Sequence, residues 1–174
     1  MTGVQTCALP ICFPVTISLG RNITERKKSE EKIIESQKKL KSLQDLFRNV
    51  ADNMPDMLWA KDLKGKYLFA NKALCENLFQ IRDTSTPIGK TYEECTRKIK
   101  EQPEYINDNN WFTVGIKHTN YDNIVLDTGL STRYEENGYI KGVFKCLDII
   151  KSPLLNANNE IIGVVGAATF WARH

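Results

Sequence analysis

The sequence has few of the residues that build metal and redox sites. It contains only two histidines, His118 and His174, and five cysteines, none of them at a Cys-x-x-Cys spacing. An odd number of scattered cysteines is not a disulfide framework, and it is typical of proteins in a reducing compartment. We therefore expect no metal site and a cytoplasmic location.

Long apolar runs and catalytic motifs are also missing. No apolar stretch approaches the about 20 residues that a membrane-spanning helix needs, so we expect no membrane segment in this piece. It has no phosphate-binding loop and no Gly-x-Ser-x-Gly motif, so we predict no catalytic residues and no enzyme activity. The net charge of +3 is too small to favour nucleic acid, and we predict no nucleic-acid partner.

A long amphipathic segment spans residues 25–54. Its apolar residues recur at heptad spacing along an otherwise polar helix, and they are Ile33, Leu40, Leu43, Phe47 and Val50. A narrow seam of this kind predicts a short coiled coil, parallel or antiparallel. The alternative is a helix that packs on its own domain. Pro55 predicts that the helix ends near Met54.

Short elements follow. A hairpin turn is predicted at residues 63–65, a helix capped by Asn71 over 72–79, weak helical patterning over 91–100, and a helix over 119–128 that ends at Gly129.

Further turns are predicted at Asn137-Gly138 and at residues 156–160, with a closing strand over 161–170. Three consecutive strands near the carboxyl end predict an antiparallel sheet whose helices lie on one face.

Two stretches resemble a PAS domain. WAKDLKGKYLFANKALCENL is similar to its first two strands and first helix, and LDIIKSPLLNANNEIIGVVGAA to its last strand pair. The resemblance implies an α+β fold with a PAS-like antiparallel five-stranded sheet and short helices on one face, preceded by a long coiled-coil-type helix. The PAS domain would span residues 55–170, and residues 171–174 would be a tail.

Residues 1–24 precede the long amphipathic segment. Alternating apolar residues predict a strand over residues 13–20, and ISLGRNIT resembles the end of a preceding PAS domain. We therefore expect residues 13–24 to be the end of a truncated neighbour. Residues 1–11, back-translated, resemble a sequencing adapter, so we expect residues 1–12 to be an artefact.

The PAS resemblance implies a sensory module of a bacterial-type signal-transduction protein. Its parent would be a sensor histidine kinase of a two-component system or a diguanylate cyclase. The module would detect a small molecule or a redox cue and relay it through the helix, as a homodimer joined through residues 25–54. One alternative is a PAS element that binds no ligand and serves only dimerisation and relay. A haem or flavin redox sensor is another, and the cofactor is unknown.

Candidate ligand-binding residues are Trp59, Phe69, Trp111, Asp148 and Lys151. The aromatic residues are either core or pocket wall. Strand alternation places Asp148 and Lys151 on opposite faces, and a charge in an apolar strand is costly unless it is paired, liganded or exposed to solvent. The PAS resemblance makes His118 the haem candidate.

Overall fold

The computed structural model describes residues 16–103, 105, 111–115 and 120–171, with side chains from Ile23 onward except Thr24. The chain divides into two compact units, Met1–Leu46 and Phe47–His174. The helices are α1 (Thr16–Asn53), α2 (Lys72–Leu74, continuing as a π-helical turn over Cys75–Phe79), α3 (Tyr92–Lys100) and α4 (Tyr121–Thr128). The strands are β1 (Met57–Asp62), β2 (Tyr67–Ala70), β3 (Thr132–Ile140), β4 (Val143–Leu155) and β5 (Ile161–Trp171).

Helix α1 confirms the predicted long helix, and it ends at Asn53, two residues before Pro55. The strand predicted over residues 13–20 is wrong for residues 16–20, which are helical, and residues 13–15 lie outside the described residues. A helix satisfies its backbone hydrogen bonds internally, whereas a strand needs a neighbouring strand. The interpretations of residues 1–12 and 13–24 stay predictions. In the described part of the chain, no helix is long and apolar enough to cross a membrane.

The five strands form one antiparallel sheet in the order β2-β1-β5-β4-β3. This confirms the predicted α+β fold. The predicted turns before β2 and β5 are also confirmed. Asp62 Oδ1 accepts hydrogen bonds from the backbone N–H groups of Lys64 and Lys66, and Asn156 Oδ1 plays the same part for Asn158 and Glu160.

The turn between β3 and β4 corrects a prediction. Asn137 and Gly138 lie inside β3, and the chain reverses at Lys141 and Gly142, whose φ angles are 54° and 71°. Two residues with positive φ make the two-residue hairpin turn that matches strand twist. Gly138 serves a close approach instead, because a Cβ there would lie 2.9 Å from Thr113 Oγ1.

The core lies on the inner face of the sheet. Side chains at alternate positions of β1, β4 and β5 point there and pack against α2 and α3. The largest fully buried side chains of the whole core are Phe79, Phe112, Met57, Leu74, Ile99 and Leu147. Helix α3 begins at a capping box in which Thr91 and Glu94 bond each other's backbone N–H groups. The same inner face also carries charged residues, among them Lys61 and Lys151.

Candidate functional site

A cavity of about 450 Å³ lies within the second unit, against the inner face of the sheet. Its volume is within the range of small-molecule sites. Strands β1, β3 and β4 and the start of α4 line it, together with residues from α2, α3 and β5. The lining mixes apolar side chains with charged and hydroxyl groups, and three of the charged groups are the lysines Lys61, Lys64 and Lys151.

Lys61 and Lys151 share one carboxylate at the cavity wall. Lys61 Nζ lies 2.9 Å from Asp122 Oδ2, and Lys151 Nζ lies 2.6 Å from Asp122 Oδ1, distances that mark two ion pairs. The three side chains are only 11%, 12% and 17% exposed, in the order Lys61, Lys151 and Asp122. Charges this buried require close partners, and two cations here face a single anion.

Local structure explains how the three residues meet. Lys61 follows Met57 and Trp59 at alternate positions of β1, and a β-bulge next to it alters the register with β2. Asp122 is the second residue of α4, whose first turn favours a negative charge. The side chain of Asn120 caps that helix by accepting from the backbone N–H of Asp122.

Burial and the charges of the cluster shift the pKa values of Asp122 and Lys151. Burial alone would raise the pKa of Asp122, but the charges of Lys61 and Lys151 together outweigh burial and lower it. Burial lowers the pKa of Lys151, and its attraction to Asp122 offsets that effect only in part. The cluster therefore favours an ionised aspartate and holds a lysine whose charge is poorly compensated.

Aromatic rings flank both lysines. Lys61 Nζ lies 5.0 Å from the ring centre of Tyr67, and Lys151 Nζ lies 5.6 Å from that of Tyr134. Tyr134 stacks on Tyr121, with ring centres 3.6 Å apart and planes inclined by 8°. Ring faces attract cations, so these contacts partly replace the water that burial removes.

Two further polar side chains, Tyr92 and Glu136, line another part of the cavity wall. The Tyr92 hydroxyl donates to the carbonyl of Val114, and Glu136 accepts from the backbone N–H of Gly115. Burial, reinforced by the nearby Glu136 carboxylate, raises the pKa of Tyr92, so this hydroxyl keeps its proton. These bonds fix residues 114–115 against α3 and β3.

Trp59 lies across the backbone of β5. Gly166 pairs with Trp59 on one side and with Lys151 on the other. A Cβ on Gly166 would be 2.3 Å from indole carbons and 2.7 Å from Trp59 Nε1. The indole therefore reaches from β1 over β5 toward the strand that carries Lys151.

The structure brings two of the predicted ligand residues to the cavity, Trp59 and Lys151. Asp148 is on the outer face of the sheet, where Arg133 Nε donates to it at 2.9 Å. Alternation along β4 explains the difference, because Asp148 is an odd number of positions from Lys151. The ligand-binding role of each residue stays a prediction.

The other predicted site residues do not line the cavity. The Phe69 ring contacts that of Phe47, with centres 5.1 Å apart, and Trp111 packs on the core beside Gly142. His118, the haem candidate, lies outside the described residues.

Sequence reasoning missed Lys61, Asp122 and Glu136. The positions of Lys61 and Glu136 could have been predicted from strand alternation, because each lies two residues from another inward-pointing side chain of its strand. Nothing in the sequence linked Asp122 to either lysine, because 61 residues separate Lys61 from it.

Comparison with protein-family models and with curated proteins finds no match. Solved structures do match. The PAS domain of an HTR-like protein from Haloarcula marismortui superposes with a TM-score of 0.52 at 14% identity, over 79% of this chain and 98% of that one. The chain has the PAS fold. At this identity the likeness shows the fold alone.

Vibrio cholerae VqmA contains the same PAS fold. Its complex with ligand and DNA matches with a TM-score of 0.53 at 19% identity, over 74% of this chain and 50% of that one. VqmA bound to DPO matches with a TM-score of 0.53 at 20% identity, over 74% and 57%. The chain thus spans about half the length of the VqmA chains that it matches.

These VqmA structures correct the prediction that nucleic acid is not a partner. That exclusion is wrong, because a VqmA chain containing this PAS fold is solved in complex with DNA. The prediction rested on a net charge of +3 for the present chain. The charge of a PAS domain does not report on DNA contacts made by other parts of a longer protein.

Proposed function

We propose that residues 47–171 form a sensory PAS module that binds a small molecule in the cavity and relays its presence through α1. One observation carries the proposal: Lys61, Asp122 and Lys151 form a charged cluster on the wall of a 450 Å³ cavity. Burying a charge is costly, and ionisable residues with shifted pKa values at the wall of a cavity are typical of functional sites. Buried ion pairs are often no more stabilising than apolar residues of similar volume, so a purely structural core does not need these charges.

The relay would pass through Asn71, which is fully buried. Its Nδ2 donates to the carbonyls of Ala51 and Asp56, at 2.8 and 2.9 Å, and its Oδ1 accepts from the N–H groups of Leu58 and Leu74. One side chain thus joins the last turns of α1 to β1 and α2. A ligand-induced shift of β1, which carries Lys61, would therefore move the end of α1.

We propose that α1 pairs with a second copy of itself. Its apolar seam residues are exposed, with exposed fractions between 56% and 67% at Ile33, Leu40, Leu43, Phe47 and Val50. Burying such side chains between two helices contributes on the order of 1.5–3 kcal/mol each before entropy costs. This exposed seam favours the predicted homodimer.

The parent protein is proposed to be a cytoplasmic bacterial signalling protein of the sensor-kinase or cyclase type. A second candidate is a DNA-binding regulator, which the structural likeness to DNA-bound VqmA favours. The two differ in the domain that the PAS module would control. Sequencing the gene beyond both ends of this chain distinguishes them directly.

Ligand binding is tested by blocking the cavity. Ala168 lines it and is 3% exposed, whereas the neighbouring Ala167 points to the other face of β5. Native mass spectrometry of the gently purified protein is expected to show a bound small molecule in the wild type and in Ala167→Leu, and none in Ala168→Leu.

The alternative of a ligand-free relay element makes a different prediction for the same samples. A clean apo mass in all three proteins, with no thermal stabilisation by any member of a small-molecule library, would overturn ligand sensing. A dimer that forms under those conditions would then support the ligand-free alternative.

A further inference from the structure

We propose that the ligand of this cavity is a small organic monoanion whose carboxylate is held between Lys61 and Lys151. This inference rests on the proposed sensory function and specifies its ligand. It follows from the balance of donors and acceptors at the charged end of the cavity.

The charged cluster contains one cation more than it contains anions. Each lysine ammonium has three N–H donors. Lys61 donates a hydrogen bond to Asp122 Oδ2, whereas Lys151 Nζ forms an ion pair with Asp122 Oδ1, which accepts no hydrogen bond among the described residues. The remaining N–H donors of Lys61 and Lys151 belong to groups that line the cavity. An anionic acceptor there would satisfy these donors and neutralise the excess charge.

Trp59 adds a third donor to the same region. The residue is 7% exposed and lines the cavity, and Nε1 has no hydrogen-bond partner among the described residues. Its indole lies over Gly166, which is the direct strand neighbour of Lys151. An unpaired buried N–H is costly, so a ligand acceptor at this position would also remove that cost.

The other walls specify the body of the ligand. They carry aliphatic side chains, with Met57, Leu74, Leu78, Val114, Leu147 and Ile149 among the lining residues, beside the rings of several tyrosines. An apolar ring or short chain attached to the carboxylate fits this surface.

Glu136 also lines the cavity, but it forms neither of the two ion pairs of the cluster. Its carboxylate accepts from the backbone N–H of Gly115. At Lys151 the repulsion from Lys61 is larger than the attraction to Glu136. Over the whole lining the three lysines, which include Lys64, equal the three carboxylates in number, so the excess positive charge belongs to the ion-paired cluster and not to the cavity as a whole.

The test compares matched acids and amides. Benzoate, cyclohexanecarboxylate and hexanoate are titrated against the full chain by calorimetry and thermal denaturation, beside benzamide, cyclohexanecarboxamide, hexanamide and benzylammonium. At least one acid is expected to bind and stabilise the protein, and its amide to bind at least about tenfold more weakly.

Lys151→Met identifies the site of binding. This substitution keeps an unbranched side chain that is one atom shorter, and it leaves Lys61 and Asp122 as a balanced pair. We expect the acid to bind at least about tenfold more weakly to Lys151→Met and with unchanged affinity to Lys72→Met, which removes a lysine that is 57% exposed outside the cavity.

Each result decides the proposal. Amides or benzylammonium that bind as tightly as the acids, and are blocked by Ala168→Leu, overturn the monoanion and leave ligand sensing intact. Acids that bind equally to wild type and Lys151→Met also overturn it. If no probe binds and Ala168→Leu changes nothing, both the monoanion and the sensory cavity fail.

Discussion

The indole of Trp59 occupies the space where a side chain on Gly166 would otherwise lie. A Cβ there would be 2.3 Å from two indole carbons, which is closer than real Cβ contacts come. The glycine thus permits the aromatic wall of the cavity, and its role is a close approach within a strand.

Gly166→Ala is expected to destabilise the domain by about 1–3 kcal/mol, because the rigid indole of Trp59 must move away from the new methyl group. Denaturant unfolding measures the change. Val165→Ala is the control on the adjacent residue, which is 39% exposed, and it should cost much less. Equal stability of Gly166→Ala and the wild type would contradict the described contact.

Asn71→Ala is expected to destabilise the domain by about 3 kcal/mol or more. The substitution leaves several buried backbone groups without partners, and each costs about 1–3 kcal/mol. Asn53→Ala is the matched control, since the Asn53 side chain makes one exposed hydrogen bond, to the Asn49 carbonyl. Thermal unfolding of both variants should separate them clearly, and similar losses would argue against a central role for Asn71.

Asp122→Asn is expected to cost about 3–5 kcal/mol, because it leaves Lys61 and Lys151 buried without their counter-ion. Asp148→Asn is the control on the outer face. Its partner Arg133 has a side chain that is 73% exposed, and exposed pairs contribute at most about 1 kcal/mol. Denaturant unfolding near neutral pH compares the two. A larger loss in Asp148→Asn would reverse our assignment of the two faces.

Cys75 provides a pH-dependent prediction. Burial raises the pKa of its thiol from 9.0 to about 11. The unfolded chain releases this proton at a lower pH than the folded protein does. The contribution of the protonated thiol to the free energy of unfolding is therefore full below about pH 9 and should decline between pH 9 and 11. The wild type should therefore lose more stability than Cys75→Ala over this range, as measured by unfolding at each pH. Parallel curves for the two proteins would show that burial of the thiol does not control this loss.

The seam of α1 is tested by charge insertion. Leu40→Glu and Leu43→Glu are expected to shift sedimentation toward the monomer, because a glutamate between two apolar seams loses its hydration. Ser42→Glu adds the same charge to an exposed helical position outside the seam and should leave the dimer unchanged. If all three variants sediment alike, dimerisation through α1 is wrong.

Most of the fold could be predicted from local signals. Pro55 predicted the end of α1, Asn71 and Gly129 predicted a helix start and a helix end, and Gly65 predicted a hairpin. Each depends on the backbone geometry of a few adjacent residues, which sequence reports directly.

The local signals failed where a nearby alternative was equally compatible with the residues. Asn137-Gly138 has the composition of a hairpin turn, but the chain turns at Lys141-Gly142. The register with β4 decides between them, and register depends on which side chains the whole sheet buries. Residues 16–20 alternate like a strand, yet they continue α1.

By itself, therefore, the sequence determined the order of elements, the long polar helix with its apolar seam, and the PAS-like α+β architecture. It also marked Trp59 and Lys151 as residues of interest. Strand alternation also placed Asp148 and Lys151 on opposite faces, but tertiary structure alone decided that the face of Lys151 is the inner one and that Asp122 pairs with Lys61 and Lys151. The physical reason is that ion pairs between residues distant in the chain depend on strand register and helix placement, which no local pattern encodes.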